Sequence, residues 1–111
     1  MKRKYRNTPV VIDGVRFDSV REANRWGFLQ ALQRLNKISQ LERQVKYVLA
    51  PSVKFAGEKR AKTALRYFAD FRYVDSTGET VVEDAKGRET EAFRIKRHLM
   101  KSVHGIDVRL S

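Results

Sequence analysis

The sequence RYFADFRYVDSTGETVVEDAKG, residues 66–87, has the pattern of two β-strands joined by a tight turn. β-Branched and aromatic residues are frequent in both halves, as is typical of strands. The segment Asp-Ser-Thr-Gly, residues 75–78, supplies the turn, and a three-residue loop at 76–78 ends on the glycine, where φ must be positive. This loop length predicts a register in which Asp70 lies directly opposite Asp84.

Asp70 and Asp84, called the acidic pair below, would share one face of the predicted hairpin. Side chains directly opposite each other lie about 5 Å apart at Cβ, so two carboxylates in these positions repel each other. A Mg²⁺ ion relieves such repulsion, because it takes oxygen ligands and is commonly held by one or two carboxylates plus water and phosphate. Lys86 would point to the same side as Asp84, and Glu83 to the other. The alternative is a slipped register, in which the two acids are separate solvent-facing residues.

A helix is predicted from Ser19 to about Asn36. Apolar residues at i, i+3, i+4 and i+7 predict a stripe that faces the core, formed by Phe28, Ala31, Leu32 and Leu35.

Glu22, near the start of this helix, has two interpretations. It matches a capping box, in which its carboxylate bonds the backbone N–H of Ser19. It also shares a helix face with Trp26 and Leu29, which predicts partial burial near the sheet. A third carboxylate converging on the acidic pair would complete an oxygen-ligand site for one or two metal ions.

The other segments predict an α/β fold. Asp13-Gly14 in VVIDGVRF predicts an N-terminal hairpin, and the alternation from Ile38 to Leu49 predicts a strand followed by a loop at 52–64. A second helix is expected from Glu91 to about Val103, with Thr90 as its cap and Gly105 at its end, followed by a short strand in IDVRL. The predicted architecture is a mixed β-sheet flanked by helices, with a small N-terminal β-hairpin.

Composition excludes several classes of protein. The chain has 111 residues, a length that suits a single domain over 1–111, with a basic N-terminal tail at 1–8. No cysteine is available for disulfides or thiolate zinc sites, and His98 and His104 are not spaced as a ligand pair on one helix face. The charged fraction of 33% argues against a membrane span, and the N-terminus lacks the apolar stretch of a secretory signal, so we expect a cytoplasmic protein.

The net charge of +11 indicates a polyanionic partner, with nucleic acid as the first expectation. Three groups of cations stand out: Lys2, Arg3, Lys4 and Arg6; Lys54, Lys59, Arg60 and Lys62; Arg94, Lys96, Arg97 and Lys101. Each group alone could be a solvated face, but together they predict a DNA-binding surface. Lys96 is singled out because its helix follows Lys86 directly, within reach of a phosphate at the acidic pair.

The order Glu22 on a first helix, Asp70 on a strand, then Asp84-Ala85-Lys86 on the next strand resembles the PD-(D/E)XK nuclease superfamily. Ala69 stands where the name-giving proline would be, a position that varies in the superfamily. Longer segments of the sequence resemble a small family of phage and prophage proteins linked to replication and recombination; they include DGVRFDSVREANRW, LERQVKYVLAP and GIDVR. That similarity covers nearly the whole chain.

The resemblance implies a restriction-endonuclease-like fold and hydrolysis of DNA phosphodiester bonds assisted by Mg²⁺ or Mn²⁺, in a bacterial host cell. It implies that Asp70 and Asp84 hold the metal together with the backbone carbonyl of Ala85. Lys86 would orient the attacking water, and Glu22 would bind the metal through water or a second ion. Gln44 would touch the scissile phosphate or only satisfy a sheet edge.

The alternative function is a non-catalytic DNA- or RNA-binding protein whose acids are only salt-bridge partners. The sequence leaves the substrate open among duplex, flap, junction and single strand, because backbone contacts carry no sequence information. A four-way-junction resolvase makes two opposed cuts and would require a homodimer, but no heptad or long apolar edge predicts one.

Overall fold

The computed structural model describes residues 8–111, so the cations expected in the tail at positions 2–6 lie outside the described residues. Within this range the chain forms a hairpin, a helix, three strands, a second helix and a final strand, in the predicted order. Among residues 8–111, no helix is long and apolar enough to cross a membrane. The elements are β1 (Val10–Ile12), β2 (Val15–Phe17), α1 (Val20–Arg34), β3 (Ser39–Ala50), β4 (Leu65–Val74), β5 (Thr80–Asp84), α2 (Glu91–His104) and β6 (Arg109–Leu110).

The main sheet has the strand order β3-β4-β5-β6 and is mixed, as predicted. β3, β4 and β5 pair antiparallel, whereas β6 lies parallel to β5. β1 and β2 form a separate hairpin, in which Asp13 and Gly14 have φ values of 52° and 76°. Two positive φ values in a two-residue loop are the mark of the type I′ turn that Asp-Gly favours.

The hairpin of β4 and β5 has the predicted register. Phe71 pairs with Glu83 and Val74 with Thr80. The turn closes as expected, because the N–H of Asp75 donates to the carbonyl of Glu79 at 2.9 Å and Gly78 has a φ of 86°. The slipped register is therefore wrong: Asp84 ends β5, and Asp70 lies beside it within β4.

The core has two parts, one on each side of the sheet. On the α1 side, Leu29 packs with Phe71 and Val81. On the α2 side, Met100 and Phe93 pack with other apolar residues of the sheet and the chain end, namely Leu49, Tyr67, Ala69, Val82 and Val108. The hairpin that carries the acidic pair is thus held between two helices.

The predicted apolar stripe of α1 is wrong in part. Phe28 is 53% exposed and Leu35 is 66% exposed, while Ala31 and Leu32 are half-buried. The helix buries Glu22 and Leu29, with Trp26 half-buried between them. Apolar spacing alone favoured the wrong face because the buried face contains a carboxylate.

α2 begins and ends as predicted. The hydroxyl of Thr90 accepts a hydrogen bond from the N–H of Phe93 at 3.1 Å, and Gly105 ends the helix in the left-handed conformation. The cap starts α2 at Glu91, seven residues after Asp84 ends β5.

β3 and β4 extend beyond β5 as a two-stranded ribbon, which we define as residues 45–69. β5 pairs with β4 only over Phe71–Val74, whereas β3 and β4 stay paired from Val45–Ala69 to Ala50–Leu65. Beyond them, the predicted loop at 52–64 contains a further bridge between Val53 and Lys62. The radius of gyration is 16.4 Å, against about 13 Å for a compact chain of this length, so the molecule is elongated.

Candidate active site

The acidic pair is locked in place by the backbone of the opposite strand. The N–H of Asp70 donates to Oδ1 of Asp84 at 2.8 Å, and the N–H of Ala85 donates to Oδ2 of Asp70 at 2.9 Å. Each carboxylate therefore has one oxygen fixed by a main-chain donor. The other oxygens, Oδ1 of Asp70 and Oδ2 of Asp84, receive no main-chain donor among the described residues and remain for side chains or a ligand.

Lys86 lies on the same side as Asp84, as the alternation of the strand predicts. Its Nζ is 3.7 Å from Oδ2 of Asp84 and 4.8 Å from the ring centroid of Phe93. Glu83 points to the opposite face, where its carboxylate binds the guanidinium of Arg25 at 2.7 Å. The prediction that Asp84 and Glu83 point to opposite faces of the sheet is therefore confirmed.

Glu22 forms only half of the predicted capping box. The hydroxyl of Ser19 accepts from the N–H of Glu22 at 3.1 Å. The Glu22 carboxylate accepts instead from Arg43 at 3.3 Å and from Gln44 at 3.2 Å. The side chain is almost fully buried and faces the acidic pair, not the helix end.

Gln44 connects Glu22 to the acidic pair. Its Nε2 donates to Oε2 of Glu22 at 3.2 Å and to Oδ1 of Asp70 at 3.3 Å. The prediction that it satisfies a sheet edge is therefore wrong, and its contact with a phosphate stays a prediction. Its φ of 51° is left-handed, a conformation that costs a non-glycine residue of the order of 1–3 kcal/mol and is often found at functional sites.

Arg43 is a residue of the site that sequence reasoning missed. Its guanidinium lies 4.4 Å from the ring centroid of Phe17 and 5.6 Å from that of Trp26, and it binds Glu22. The contact therefore ties β2, α1 and β3 together behind the acidic pair. The one sequence signal for Arg43 was its position next to Gln44. Its aromatic partners could not be predicted, because they come from elements distant in sequence.

The acidic pair opens into a cavity of about 310 Å³. Lys86 and Lys96 both line it, so α2 brings Lys96 to the site as predicted. Arg97 bonds Glu89 and the carbonyl of Val108, and Arg94 reaches the carbonyl of Glu89, so these two cations have partners of their own. The full lining is Asp18, Gln44, Tyr67, Phe68, Asp70, Asp84, Lys86, Thr90, Ala92, Phe93 and Lys96.

The hydroxyl of Tyr67 is a buried polar group in the wall of this cavity. The residue is 3% exposed, and its hydroxyl makes no hydrogen bond of normal geometry within the described chain. Burial and the nearby charge of Asp84 raise the pKa of this hydroxyl, so it stays a donor at neutral pH. Asp84 is its acceptor in the cavity wall, at a geometry outside the normal range for a hydrogen bond.

A larger cavity of about 680 Å³ lies elsewhere, between the sheet and the segment after α2. Its central cation, Arg72, is already bonded to Glu42 and to the hydroxyl of Tyr47. The smaller cavity differs from it in containing two adjacent carboxylates, Asp70 and Asp84, that are both fixed by main-chain donors.

A family model matches residues 2–111, nearly the whole chain, and its description is "Protein of unknown function (DUF1064)". The chain belongs to this family. No curated protein and no solved structure shows significant similarity to it.

Negative charge accumulates at the acidic pair. Burial raises the pKa of Asp70 to about 7, and the negative charges of Asp84 and Glu22 add to this effect. The pair therefore resists full ionisation at neutral pH unless a positive charge compensates it.

The donor set of this DUF1064 chain suits a hard divalent ion that keeps water ligands. Within residues 8–111, no group of three His, Cys, Asp or Glu side chains is arranged to hold a metal alone. Two carboxylates with an adjacent backbone carbonyl, completed by water and phosphate, nevertheless match how Mg²⁺ is commonly bound. These donors are thus of the oxygen type that Mg²⁺ or Mn²⁺ takes, and further ligands would have to come from outside this set.

Proposed function

We propose that this protein is a Mg²⁺-dependent endodeoxyribonuclease that hydrolyses phosphodiester bonds in DNA. The arrangement of Asp70, Asp84 and Lys86 at one end of the central hairpin carries the proposal. One oxygen of each carboxylate is held by a backbone N–H, so the other is presented rigidly to the cavity. Carboxylate oxygens held in this way could bind a metal ion that polarises a phosphoryl oxygen and activates a water.

The chain's residues would have distinct roles. Asp70, Asp84 and the carbonyl of Ala85 would hold Mg²⁺ or Mn²⁺, with Glu22 acting through water or a second ion. When bound, the metal supplies Lewis-acid stabilisation of charge and lowers the pKa of a bound water. Lys86 would orient the attacking water, and Lys96 would bind the substrate phosphate.

The wider proposal concerns fold, substrate and setting. We assign the mixed sheet with its central acidic hairpin to the restriction-endonuclease-like class. Branched intermediates of recombination or replication are the proposed substrates, in the cytoplasm of a bacterial cell that carries the phage or prophage. Opposed cuts at a four-way junction would require two copies of the chain.

A non-catalytic DNA-binding protein is the second candidate. The contacts of Asp84 with Lys86 and of Glu22 with Arg43 favour it, because acids can serve as salt-bridge partners alone. Both candidates predict steep dependence of affinity on salt, so only cleavage separates them.

The deciding experiment incubates plasmid, flap and four-way-junction DNA with Mg²⁺ and compares wild type with Asp84→Asn. We expect cleavage by the wild type and a loss of at least about 100-fold in the variant, with DNA affinity in Ca²⁺ equal or higher because a repelling charge is gone. Asp107→Asn is the matched control, because Asp107 is an exposed acid paired with Lys101. Mg²⁺ should also raise the thermal midpoint of the wild type but not that of Asp84→Asn.

Two results would contradict the proposal. One is cleavage by Asp84→Asn at the wild-type rate. The other is a wild-type protein that binds all three DNA substrates and cuts none of them in Mg²⁺ or Mn²⁺, which would favour the non-catalytic candidate.

A further inference from the structure

The end of the ribbon is an exposed projection, which we call the ribbon tip and define as residues 52–63. All twelve residues of this segment are exposed. The pairing of Val53 with Lys62 continues the ladder of the ribbon, and the N–H of Glu58 closes a turn onto the carbonyl of Phe55. The tip is therefore an ordered hairpin end and not a featureless loop.

The ribbon tip combines an exposed aromatic ring with positive charge. Phe55 is 55% exposed at the start of the turn. Around it lie four cations and one anion, namely Lys54, Lys59, Arg60, Lys62 and Glu58. Only Lys62 is paired with that anion, at 3.1 Å, among the contacts of the described chain. A ring surrounded by cations is the combination that binds unstacked bases and their phosphates.

We propose that Phe55 stacks on a base at a break in the DNA duplex, while Lys54, Lys59 and Arg60 hold the neighbouring phosphates. This inference rests on the DNA partner of the proposed function but not on cleavage. A base inside a continuous duplex has both faces covered by its neighbours, so an inserted ring must first unstack it. A single-stranded arm or branch point offers a free base face without that cost, so this contact selects branched DNA.

The charge of the tip argues against a second copy of the chain as its partner. Two tips placed face to face would bring together two surfaces that each carry a net positive charge. The polyanionic backbone of DNA instead neutralises that charge and releases counterions.

The ribbon also fixes how far the tip reaches from the acidic pair. Arg60, one of the proposed phosphate contacts near the end of the tip, precedes Asp70 by ten residues along the chain. At about 3.3 Å per residue, that distance is at most roughly 33 Å, or about ten base pairs of duplex. One DNA molecule can therefore contact the acidic pair and the tip at once.

The test measures DNA binding by fluorescence anisotropy in EDTA, where metal-dependent cleavage does not occur. The probes are a continuous duplex and the same duplex with a single-stranded arm. We expect the wild type to prefer the armed duplex by about fivefold or more and Phe55→Ala to lose that preference, with less than about twofold change on the continuous duplex. Phe55→Tyr keeps a stacking ring and should keep the preference.

Phe28→Ala is the matched control, because Phe28 is equally exposed on α1, outside the ribbon. Equal loss in Phe28→Ala, or wild-type preference in Phe55→Ala, would overturn the inference. So would a loss of binding that coincides with conversion of a dimer to a monomer in sedimentation, because the tip would then bind a second copy. A wild type that prefers the armed duplex but cuts no DNA would refute the proposed nuclease activity and leave this inference standing. A wild type that cuts DNA, with the same binding preference in Phe55→Ala, would refute this inference and leave the nuclease activity standing.

Discussion

Glu22 shows how much of the site is decided by single side chains. Helical periodicity places it on the buried face of α1, and Arg43 and Gln44 then hold its carboxylate behind Asp70. Its charge is one cause of the raised pKa of Asp70. Glu22 thus affects the acidic pair without a direct hydrogen bond to either member.

Replacing Glu22 by Gln tests that charge. The amide can still accept from Arg43, but the guanidinium loses its ionic partner, so we expect unfolding free energy to fall by about 1–3 kcal/mol. Cleavage should fall by more than about tenfold, because the amide supplies no negative charge to help hold the ion. Raising Mg²⁺ or adding Mn²⁺ should restore part of the rate.

A purely structural role for Glu22 would give a different result. The rate would then follow the folded fraction measured by circular dichroism and would not respond to added metal. Full activity with full stability would show that the carboxylate is not needed at all.

At the scale of elements, one turn determines where both aspartates lie. Gly78 has a φ of 86°, and the turn it closes sets the register that brings Asp70 beside Asp84. The sequence predicted this pairing because a three-residue loop with glycine in the last position allows one register.

Backbone conformation predicts opposite effects for two glycine substitutions, one in the turn and one in α1. Gly78→Ala should lower the unfolding free energy by about 1 kcal/mol, because alanine does not readily adopt a positive φ. Gly27→Ala should raise it by about 0.5–1 kcal/mol, since Gly27 lies inside α1 and a Cβ there meets no atom within 4 Å. Urea denaturation at neutral pH measures both. A Gly78→Ala protein as stable as the wild type would contradict the role of the turn.

The ribbon predicts a change in salt dependence. Replacing Lys59, Arg60 and Lys62 by Ala should weaken DNA binding for all sequences alike and lower the slope of log K against log salt by roughly 2–3. Arg34→Ala combined with Lys37→Ala, outside the ribbon and the cavity, should leave the slope unchanged. An unchanged slope in the triple variant would mean that the ribbon cations are only solvated.

At the scale of the whole molecule, an ion pair with one buried member lies on the face of the sheet opposite the acidic pair. Glu83 is fully buried and is held by Arg25 and by the hydroxyl of Tyr73. Burial alone would raise the pKa of Glu83, but hydrogen bonds and charge from these partners outweigh it and lower the pKa. The pair joins α1 to β5, so it supports the strand that carries Asp84.

The lowered pKa of Glu83 predicts how stability changes with pH. The ionised carboxylate stabilises the fold above its unfolded pKa of about 4.3, and this contribution is lost as pH falls through the lower folded pKa. Glu83→Gln should therefore cost about 1.5–3 kcal/mol at pH 7, a deficit that shrinks toward pH 3. Glu42→Gln, which removes an exposed acid paired with Arg72, should cost less than about 1 kcal/mol. A deficit independent of pH would contradict the role of the charge.

Sequence predicted the parts of this molecule that depend on local rules. Strand alternation separated Lys86 from Glu83, and the turn set the acidic pair. Sequence reasoning failed where contacts between elements distant in the chain place a residue in the site. Arg43 is an example, because its aromatic partners come from β2 and α1. The left-handed backbone of Gln44 likewise has no signature in the residue itself.

Trp26 is an intrinsic fluorescence probe close to the site. It is the only tryptophan in the chain, its ring stacks on Phe71 with centroids 6.0 Å apart, and the Arg43 guanidinium lies 5.6 Å from it. Indole emission responds to nearby charge, so any ligand that draws Glu22 away from Arg43 changes the intrinsic fluorescence. The unlabelled protein therefore carries its own spectroscopic reporter, and a metal titration can be followed in a cuvette before any DNA is added.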